Sequence, residues 1–296
     1  MRSFIILSLL LATSAAVAQS FNQRTTDERD RTILLGKINQ EGLKQQPFQK
    51  WFDTKKEGYN MDLSLKQTLK TELKDYSLTL FMGTWCGDSK REVPRIYKIL
   101  EEIDFPLDRL TTIAVSPDKQ DYKQSPGGEQ EGLNIHRVPT LILTKQGKEV
   151  GRIVESAQNS LEADLLNIIQ GSYQPNYSKI NEIDEQIDKL SAQEVSQHLN
   201  MLGNQLSAEE FENVYELTTY SAVLDAAGKD EHALAVARLA VKLYPEESYA
   251  RISLGKRQLS LGNVGEAKST WRAVLNEDPN NKSALELLDQ LDTEQD

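Results

Sequence analysis

The feature that most constrains this chain is a β-favouring run at residues 77–82 that ends in Gly83, Thr84, Trp85 and Cys86. After Ser89, apolar residues recur at helical spacing, at Val93, Ile96, Tyr97, Leu100 and Ile103. Residues 110–115 are again rich in β-branched side chains, which favours a strand. The pattern predicts a strand, a helix and a second strand, with Cys86 just past the end of the first strand.

A second strand pair follows a loop rich in Gly, Pro and Gln. Pro139 opens an apolar run at residues 140–143, and Gln146 and Gly147 turn the chain into another run around residues 150–154. Two short apolar runs joined in this way predict a β-hairpin. Ser160 is then placed to cap a helix that Gly171 ends. We therefore predict a compact α/β domain at residues 61–171.

The segment before this domain is polar and mixed in charge, and we predict an extension at residues 19–60. Leu34, Leu35 and Ile38 have helical spacing there, which indicates that the extension is partly helical. Ser64 and Gln67 have the spacing of a capping box at the start of a short amphipathic helix.

Beyond Gly171 the sequence is continuously helix-forming and repeats itself. Capping boxes are predicted at Ser191/Glu194 and at Ser207/Glu210. A shift of 34 residues superposes Gly228 on Gly262, Ala233 on Ala267, Ala240 on Val274, and Pro245 on Pro279. This period resembles that of tetratricopeptide repeats, and Leu254-Gly255 matches their first-helix signature. The resemblance implies two repeats at residues 214–281, in an all-α domain at 207–296 with a capping helix, after a helical linker at 172–206.

Stacked helix pairs of this kind present a concave surface. Tyr215, Tyr249 and Lys256 occupy first-helix positions that could face such a groove and bind a peptide or a partner protein. The alternative is equally open: two repeats are fewer than usually stand alone, so their apolar face could pack on the α/β domain or on a second subunit.

Residues 1–18 have the arrangement of a secretory signal. Arg2 is followed by an apolar run at residues 4–11 and by Ala16, Val17 and Ala18 before Gln19. That apolar run is too short to span a bilayer. We therefore predict an exported protein, periplasmic or secreted, with no membrane span after removal of the signal.

The net charge and the cysteine content limit which partners and which thiol chemistry are expected. The whole chain carries a net charge of −11, with 34 basic and 45 acidic residues, which argues against a nucleic-acid partner. Cys86 is the single cysteine, so in an oxidising compartment it is free, blocked or joined to another molecule. A buried cysteine acting as a small apolar residue is the alternative.

The stretch from Phe81 to Ser89 resembles the active-site segment of thioredoxins, in which Trp precedes a Cys-x-x-Cys at a helix start. Pro94 matches the proline that kinks their active-site helix, and Val138-Pro139-Thr140-Leu141 matches their cis-proline segment. The resemblance implies an α/β thioredoxin fold, here as a single-cysteine Cys-x-x-Ser variant.

The same resemblance implies the site residues. Cys86, Ser89 and Pro139 match the reactive positions, and the surface that contacts a substrate comprises Trp85, Gly87, Asp88, Val138 and Thr140. A helix N-terminus favours an anion, so Cys86 is a candidate nucleophile. Asp88 suits the helix dipole but, as a like charge, opposes a thiolate.

Two departures from the thioredoxin pattern limit the chemistry. Ser89 replaces the resolving cysteine, and a hydroxyl cannot release a mixed disulfide by forming an internal one. Leu80 stands where thioredoxins bury an aspartate. We therefore expect at most slow monothiol exchange with other proteins or thiol compounds through Cys86. The competing hypothesis is a non-catalytic scaffold for protein interactions with a redox-inactive thioredoxin fold.

The three histidines add little. His136 lies three residues before Pro139 and could approach Cys86 as a Cys-His pair, although a surface position at a strand entry is the more common situation. His198 and His232 lie on separate predicted helices, and no spacing matches a structural zinc site. We predict no metal and no cofactor.

Overall fold

The computed structural model describes residues 21–293, so the signal predicted at residues 1–18 lies outside the described residues. Within them, the strands are β1 (Gln23–Thr26), β2 (Thr32–Ile38), β3 (Tyr76–Met82), β4 (Leu110–Ala114), β5 (Thr140–Lys145) and β6 (Lys148–Val154). They form one mixed sheet in the order β1-β2-β4-β3-β5-β6. Strands β3 and β4 are parallel, and the other neighbours are antiparallel.

Helices connect the strands of the sheet along the chain, and after the sheet region the chain is mainly helical. Those within or beside the sheet region are α1 (Gln40–Leu43), α2 (Gln49–Glu57), α3 (Lys66–Glu72), α4 (Gly87–Glu102) and α5 (Leu161–Ile169). The remainder are α6 (Ser178–Ile187), α7 (Ala192–Leu202), α8 (Tyr215–Ala226), α9 (Asp230–Leu243), α10 (Ser248–Ser260), α11 (Val264–Glu277) and α12 (Lys282–Thr293). No helix within residues 21–293 combines the length and the apolar character needed to cross a membrane.

The predicted strand-helix-strand unit is confirmed as β3-α4-β4. Alternate residues of β3 point to opposite faces of the sheet, so Leu78 and Leu80 join the core under α4 while Phe81 joins a smaller cluster on the other face. The predicted hairpin is confirmed as β5-β6. Ser160 caps α5 by accepting a hydrogen bond from the Ala163 backbone N–H, as the sequence predicts.

The helical prediction for Leu34, Leu35 and Ile38 is wrong, because these residues lie in strand β2, which pairs with β4. A separation of four residues returns a side chain to the same face in a strand as well as in a helix, so the spacing of Leu34 and Ile38 fits both structures. Both side chains are buried in the same core as Leu80. The segment at residues 21–60 therefore extends the sheet and fills its core.

The capping box predicted at Ser64 and Gln67 is also wrong. The Ser64 hydroxyl donates to Asp62 Oδ1 at 2.6 Å, and α3 begins at Lys66 without a side-chain cap. The Asp62 carboxylate, two residues earlier, also accepts the Ser64 backbone N–H at 2.9 Å, so Ser64 belongs to an Asx-type turn and does not cap the helix.

The helical region repeats with the predicted spacing, since α11 begins and ends 34 residues after α9. Gly228 and Gly262 hold the same position before these helices at φ values of 72° and 78°, a conformation that favours glycine. The capping box at Ser191/Glu194 is confirmed at the start of α7. The one at Ser207/Glu210 is also present, but it opens a short 3₁₀ turn, Ala208–Glu210.

Helices α6 and α7, in the segment predicted as a linker, pack on the helices that follow. Ile180, Ile183, Val195 and Leu199 belong to one buried cluster with Leu217 and Val236. Residues 178–202 therefore share the core of the helical region.

The helix pair α10-α11 packs tightly around a glycine. Trp271 of α11 is fully buried and its Nε1 donates to the Ile252 carbonyl at 3.2 Å. A Cβ atom added to Gly255 of α10 would lie 2.1 Å from that Nε1. The absence of a side chain at residue 255 allows the indole to fit against α10.

We expect Gly255→Ala to lower the free energy of unfolding by about 1–3 kcal/mol, because a well-packed core does not accommodate an added methyl group. Urea denaturation followed by circular dichroism measures this change. Gly265→Ala in α11 is the matched control, since nothing lies within 4 Å of the added Cβ; it should be neutral or stabilising by up to about 1 kcal/mol. Equal effects of the two substitutions would contradict this packing.

Candidate functional site

Cys86 lies where the chain leaves β3 and enters α4. The turn is closed by the Cys86 backbone N–H, which donates to the Gly83 carbonyl at 2.9 Å, and Cys86 is the N-cap residue of α4. Its side chain is partly buried, and Sγ lies 3.2 Å from the Val138 carbonyl oxygen, to which it donates. The structure therefore brings together two of the predicted site segments, separated by 52 residues.

Ser89 is fully buried behind the thiol. Its hydroxyl oxygen accepts a hydrogen bond from the Gly83 backbone N–H at 3.1 Å. An unpaired N–H at this buried position would be costly, so Ser89 stabilises the turn that carries Cys86. Thr84 supports the same turn from the other side by accepting the Leu34 N–H at 3.1 Å.

Trp85 is held over the end of β4. Its Nε1 donates to the Val115 carbonyl at 2.9 Å, and its ring centroid lies 6.1 Å from that of Tyr122. A side chain at Gly83 would collide with the indole, since an added Cβ would lie 2.5 Å from Trp85 Cε2. Glycine at residue 83 therefore makes the position of Trp85 possible.

Hydrogen bonds attach residues 137–140, which lie opposite the thiol, to the sheet. The Val138–Pro139 peptide bond is cis, as the resemblance implies. The Pro139 carbonyl accepts the Glu155 N–H at 2.7 Å, and Thr140 Oγ1 donates to the Arg137 carbonyl at 2.8 Å. Thr140 is buried, so its side chain stabilises this turn. The carbonyl of Val138 is the group that contacts Cys86.

Asp88 and Gly87 form the first turn of α4. Asp88 pairs with Arg91 at 2.8 Å, and Arg91 also pairs with the buried Glu92 at 2.6 Å. The positive charge of Arg91 offsets the negative charge of Asp88. This pairing reduces the repulsion between Asp88 and an anion at Cys86. No heavy atom lies within 4 Å of a Cβ added to Gly87, so that side of the thiol is open.

Sequence reasoning missed Lys123, which the structure buries beneath the site. Its ammonium donates to the His136 carbonyl at 2.7 Å and lies 4.5 Å from the centroid of the Tyr122 ring. Burial and then the neighbouring charge of Arg137 lower the pKa of Lys123 to about 7. Lysine in a loop is usually exposed, so nothing in the local sequence signals this position.

His136 is buried and faces the helical region. Its ring centroid lies 6.1 Å from those of Tyr177 and Tyr220, and Nδ1 lies 3.2 Å from the Asn134 carbonyl. In the described part of the chain no hydrogen bond joins the side chains of His136 and Cys86. The Cys-His pair considered from the sequence is not formed in this arrangement.

A network around Arg137 joins the sheet to the helices. Arg137 pairs with Glu155 at 3.4 Å, stacks over the ring of Tyr177 at 4.7 Å and donates to the Tyr215 carbonyl at 3.2 Å. The Tyr177 hydroxyl donates to the same Glu155 carboxylate. These contacts place the start of α8 beside the Pro139 segment.

The three residues predicted to face a groove on the repeats lie on this side. Tyr215 and Tyr249 are both exposed, and their ring centroids are 4.7 Å apart. Tyr249 and Lys256 line a cavity together with Tyr122. Across residues 21–293, no group of three or more His, Cys, Asp and Glu side chains has the arrangement of a metal site.

We expect the free energy of unfolding to fall as the pH drops from 7.5 to 5, in part because His136 is buried in its neutral form. Burial and then the charge of Lys123 lower its folded-state pKa to about 3, whereas an unfolded histidine titrates near 6.5. The unfolded chain therefore binds the extra proton below pH 6.5, which costs the fold about 2 kcal/mol at pH 5.

Urea denaturation at several pH values measures this loss, and His136→Gln should show a correspondingly shallower pH dependence. His198→Gln is the control, because that ring lies on α7 and its Nε2 bonds Gln186 Oε1 of α6 at 2.9 Å in an exposed pair; it should not reproduce the shallower pH dependence of His136→Gln. Identical profiles for all three proteins would contradict the burial of a neutral His136.

No protein-family model matches the chain, and no curated protein matches it.

Proposed function

We propose that this chain is an exported, thioredoxin-like protein that engages other proteins through the Cys86 thiol and the groove beside Pro139. Its chemistry is at most slow monothiol exchange. The observation that carries the proposal is the position of Cys86 Sγ, partly exposed at the start of α4 and 3.2 Å from the Val138 carbonyl.

The order of elements supports the family assignment within this proposal. The unit β3-α4-β4, the hairpin β5-β6 and helix α5 succeed one another in the order that the resemblance to thioredoxins implies. The 34-residue displacement of α11 from α9 supports tetratricopeptide-like repeats in the same way. Export rests on the arrangement of residues 1–18 in the sequence.

The proposed reaction is a single exchange step. The Cys86 thiolate attacks one sulfur of a partner disulfide, the S–S bond breaks, and the other sulfur leaves as a thiolate that takes up a proton. The product is a mixed disulfide between Cys86 and the partner. An external thiol must then attack this bond, because the chain has no second cysteine.

The surroundings explain why the step should be slow. The Ser89 hydroxyl is already bonded to the Gly83 N–H and cannot act as a thiol. Leu80 is fully buried where a thioredoxin-like site would have a carboxyl group to move protons. The Sγ–H group donates to the Val138 carbonyl, and attack of the sulfur on a disulfide requires this hydrogen bond to break.

This contact with Val138 also favours the second candidate function, a non-catalytic scaffold. If the S–H bond to the Val138 carbonyl persists, Cys86 acts as a small side chain that fastens the Pro139 segment to the start of α4. The exposed Tyr215 and Tyr249 would then be the principal recognition surface. The reactivity of Cys86 in the folded protein distinguishes the two functions.

We expect oxidised glutathione to add one glutathione to the folded protein, as measured by intact mass. The adduct should persist after the excess reagent is removed, because there is no internal thiol to release it, and dithiothreitol should reverse it. Cys86→Ser should give no adduct. Failure to react when folded, combined with normal reaction in guanidinium chloride, would rule out the thiol function and leave the scaffold.

We expect Ser89→Cys to form an internal disulfide with Cys86 on mild oxidation, seen as the loss of both free thiols without dimerisation. Side chains three residues apart at a helix start are neighbours, and a disulfide spans Cα separations of about 4.4–6.8 Å. Insulin reduction should be negligible for the parent protein and measurable for this variant.

The control for that experiment is Ser64→Cys. Ser64 precedes Lys66, which pairs with Glu102 at the far end of α4, about 20 Å or more from Cys86 by helix length. This variant should keep two free thiols under the same oxidation. An internal bridge in the control, or none in Ser89→Cys, would contradict the proposed alignment of the site.

A further inference from the structure

A cavity of about 420 Å³ lies between the loop that follows β4 and the helical region. The loop contributes Lys119 and Tyr122. Helices α8 and α10 contribute Thr218, Ser253, Lys256 and Arg257. The cavity is therefore built from both parts of the protein, and neither part alone encloses it.

The charge of the cavity is opposite to that of the chain. Three cationic side chains line it, and Asp and Glu are missing from the described residues of its wall, although the chain as a whole carries a net charge of −11. In the described part of the chain, the ammonium groups of Lys119 and Lys256 have neither an ion pair nor a hydrogen bond. Two of the three cations are thus available to a ligand.

Arg257 adds a buried donor to this wall. It is 5% exposed and pairs with the Asp225 carboxylate behind it, while its Nε has no hydrogen-bond partner among residues 21–293. A buried N–H without a partner is costly. An anion in the cavity could accept from such a donor.

The cations that line the cavity also destabilise one another. Burial lowers the pKa of Lys256, and the charges of Arg257 and Lys119 lower it further. A carboxylate placed among them would offset this repulsion and provide charge-assisted hydrogen bonds. The hydroxyl groups of Thr218 and Ser253 offer further polar contacts on the same wall.

The cavity is connected to the candidate site through aromatic side chains. Tyr122 lines the cavity, and its ring lies 6.1 Å from that of Trp85, the residue next to Cys86. Tyr249 lines it as well and packs against the exposed Tyr215 at 4.7 Å. An extended peptide could run from the thiol across Tyr122 to Lys256, with Tyr215 and Tyr249 at its side.

We propose that this cavity binds the carboxylates of an acidic segment in the protein partner, close in sequence to the cysteine that reacts with Cys86. The assignment rests on the proposed thiol function for the identity of the partner, but the cavity can bind an acidic peptide whether or not Cys86 reacts. A peptide fits better than a small dicarboxylate, because the polar wall continues into the aromatic surface.

Binding is tested first without the thiol chemistry. A fluorescein-labelled octapeptide carries two glutamates and a serine at the cysteine position, and a matched peptide carries glutamines instead. Fluorescence anisotropy at 0.15 M salt measures both against Cys86→Ser protein. We expect the acidic peptide to bind about tenfold more tightly, and Lys256→Gln and Lys119→Gln each to reduce its affinity by about three- to tenfold.

Lys148→Gln, at the start of β6 and absent from the cavity wall, should leave the affinity unchanged. Circular dichroism shows whether each variant is folded, and Lys119, which is exposed, provides a result that does not depend on a buried substitution. Equal binding of the acidic and glutamine peptides, or equal effects of Lys148→Gln and Lys256→Gln, would overturn the proposal. Binding of free glutarate as tight as that of the peptide would overturn the assignment to a peptide.

The cysteine-containing form of the acidic peptide, supplied as its disulfide with thionitrobenzoate, then tests the link to Cys86. Mixed-disulfide formation with the parent protein should be about tenfold faster than for the glutamine peptide, and Lys256→Gln should remove this preference. Acid-selective binding without any reaction would defeat the thiol function while the cavity assignment stands. Reaction without a preference for the acidic peptide would defeat the cavity assignment alone.

Discussion

Strand β3 is the element on which the rest of the sheet region depends, because it pairs with β4 on one edge and with β5 on the other. Every backbone group of a central strand can be satisfied in this way, and both faces of β3 are covered by apolar clusters. The strand is therefore held firmly at the point where it ends, and the turn at residues 83–86 inherits that rigidity. Cys86 is placed by burial of the residues before it, together with its own hydrogen bonds to Gly83 and Val138.

The contact between Cys86 and Val138 affects both the reactivity of the thiol and the structure of the site. The Sγ–H group donates to the Val138 carbonyl at 3.2 Å, and Cys86 is also the N-cap residue of α4. A partner that displaces the carbonyl contact would release the thiol for reaction. Binding beside Pro139 and activation of Cys86 are thus coupled in the proposed function.

The interface between the sheet and the helices contains several buried or paired polar groups. Lys123 and His136 are buried there, and Arg137, Glu155 and Tyr177 share one network. Buried charges are costly unless they are paired, and here Arg137 pairs with Glu155 while Lys123 donates to the His136 carbonyl. The packing of the sheet region on the helices brings Lys256 and Arg257 to the same cavity as Lys119 and Tyr122.

The sequence by itself determined several local elements and their order: the apolar periodicity of β3, α4 and β4, the cap of α5 and the 34-residue spacing of α9 and α11 can all be read from the pattern of residues along the chain. It also indicated Cys86 and the Pro139 segment as parts of one site. Where two structures share a spacing, as at Leu34 and Ile38, only the pairing of β2 with β4 decided between them. The tertiary structure likewise decided the burial of Lys123, the contacts of His136 and the formation of the cationic cavity. Each of these depends on segments that are far apart in sequence, and the local sequence around a residue does not indicate which distant segment will pack against it.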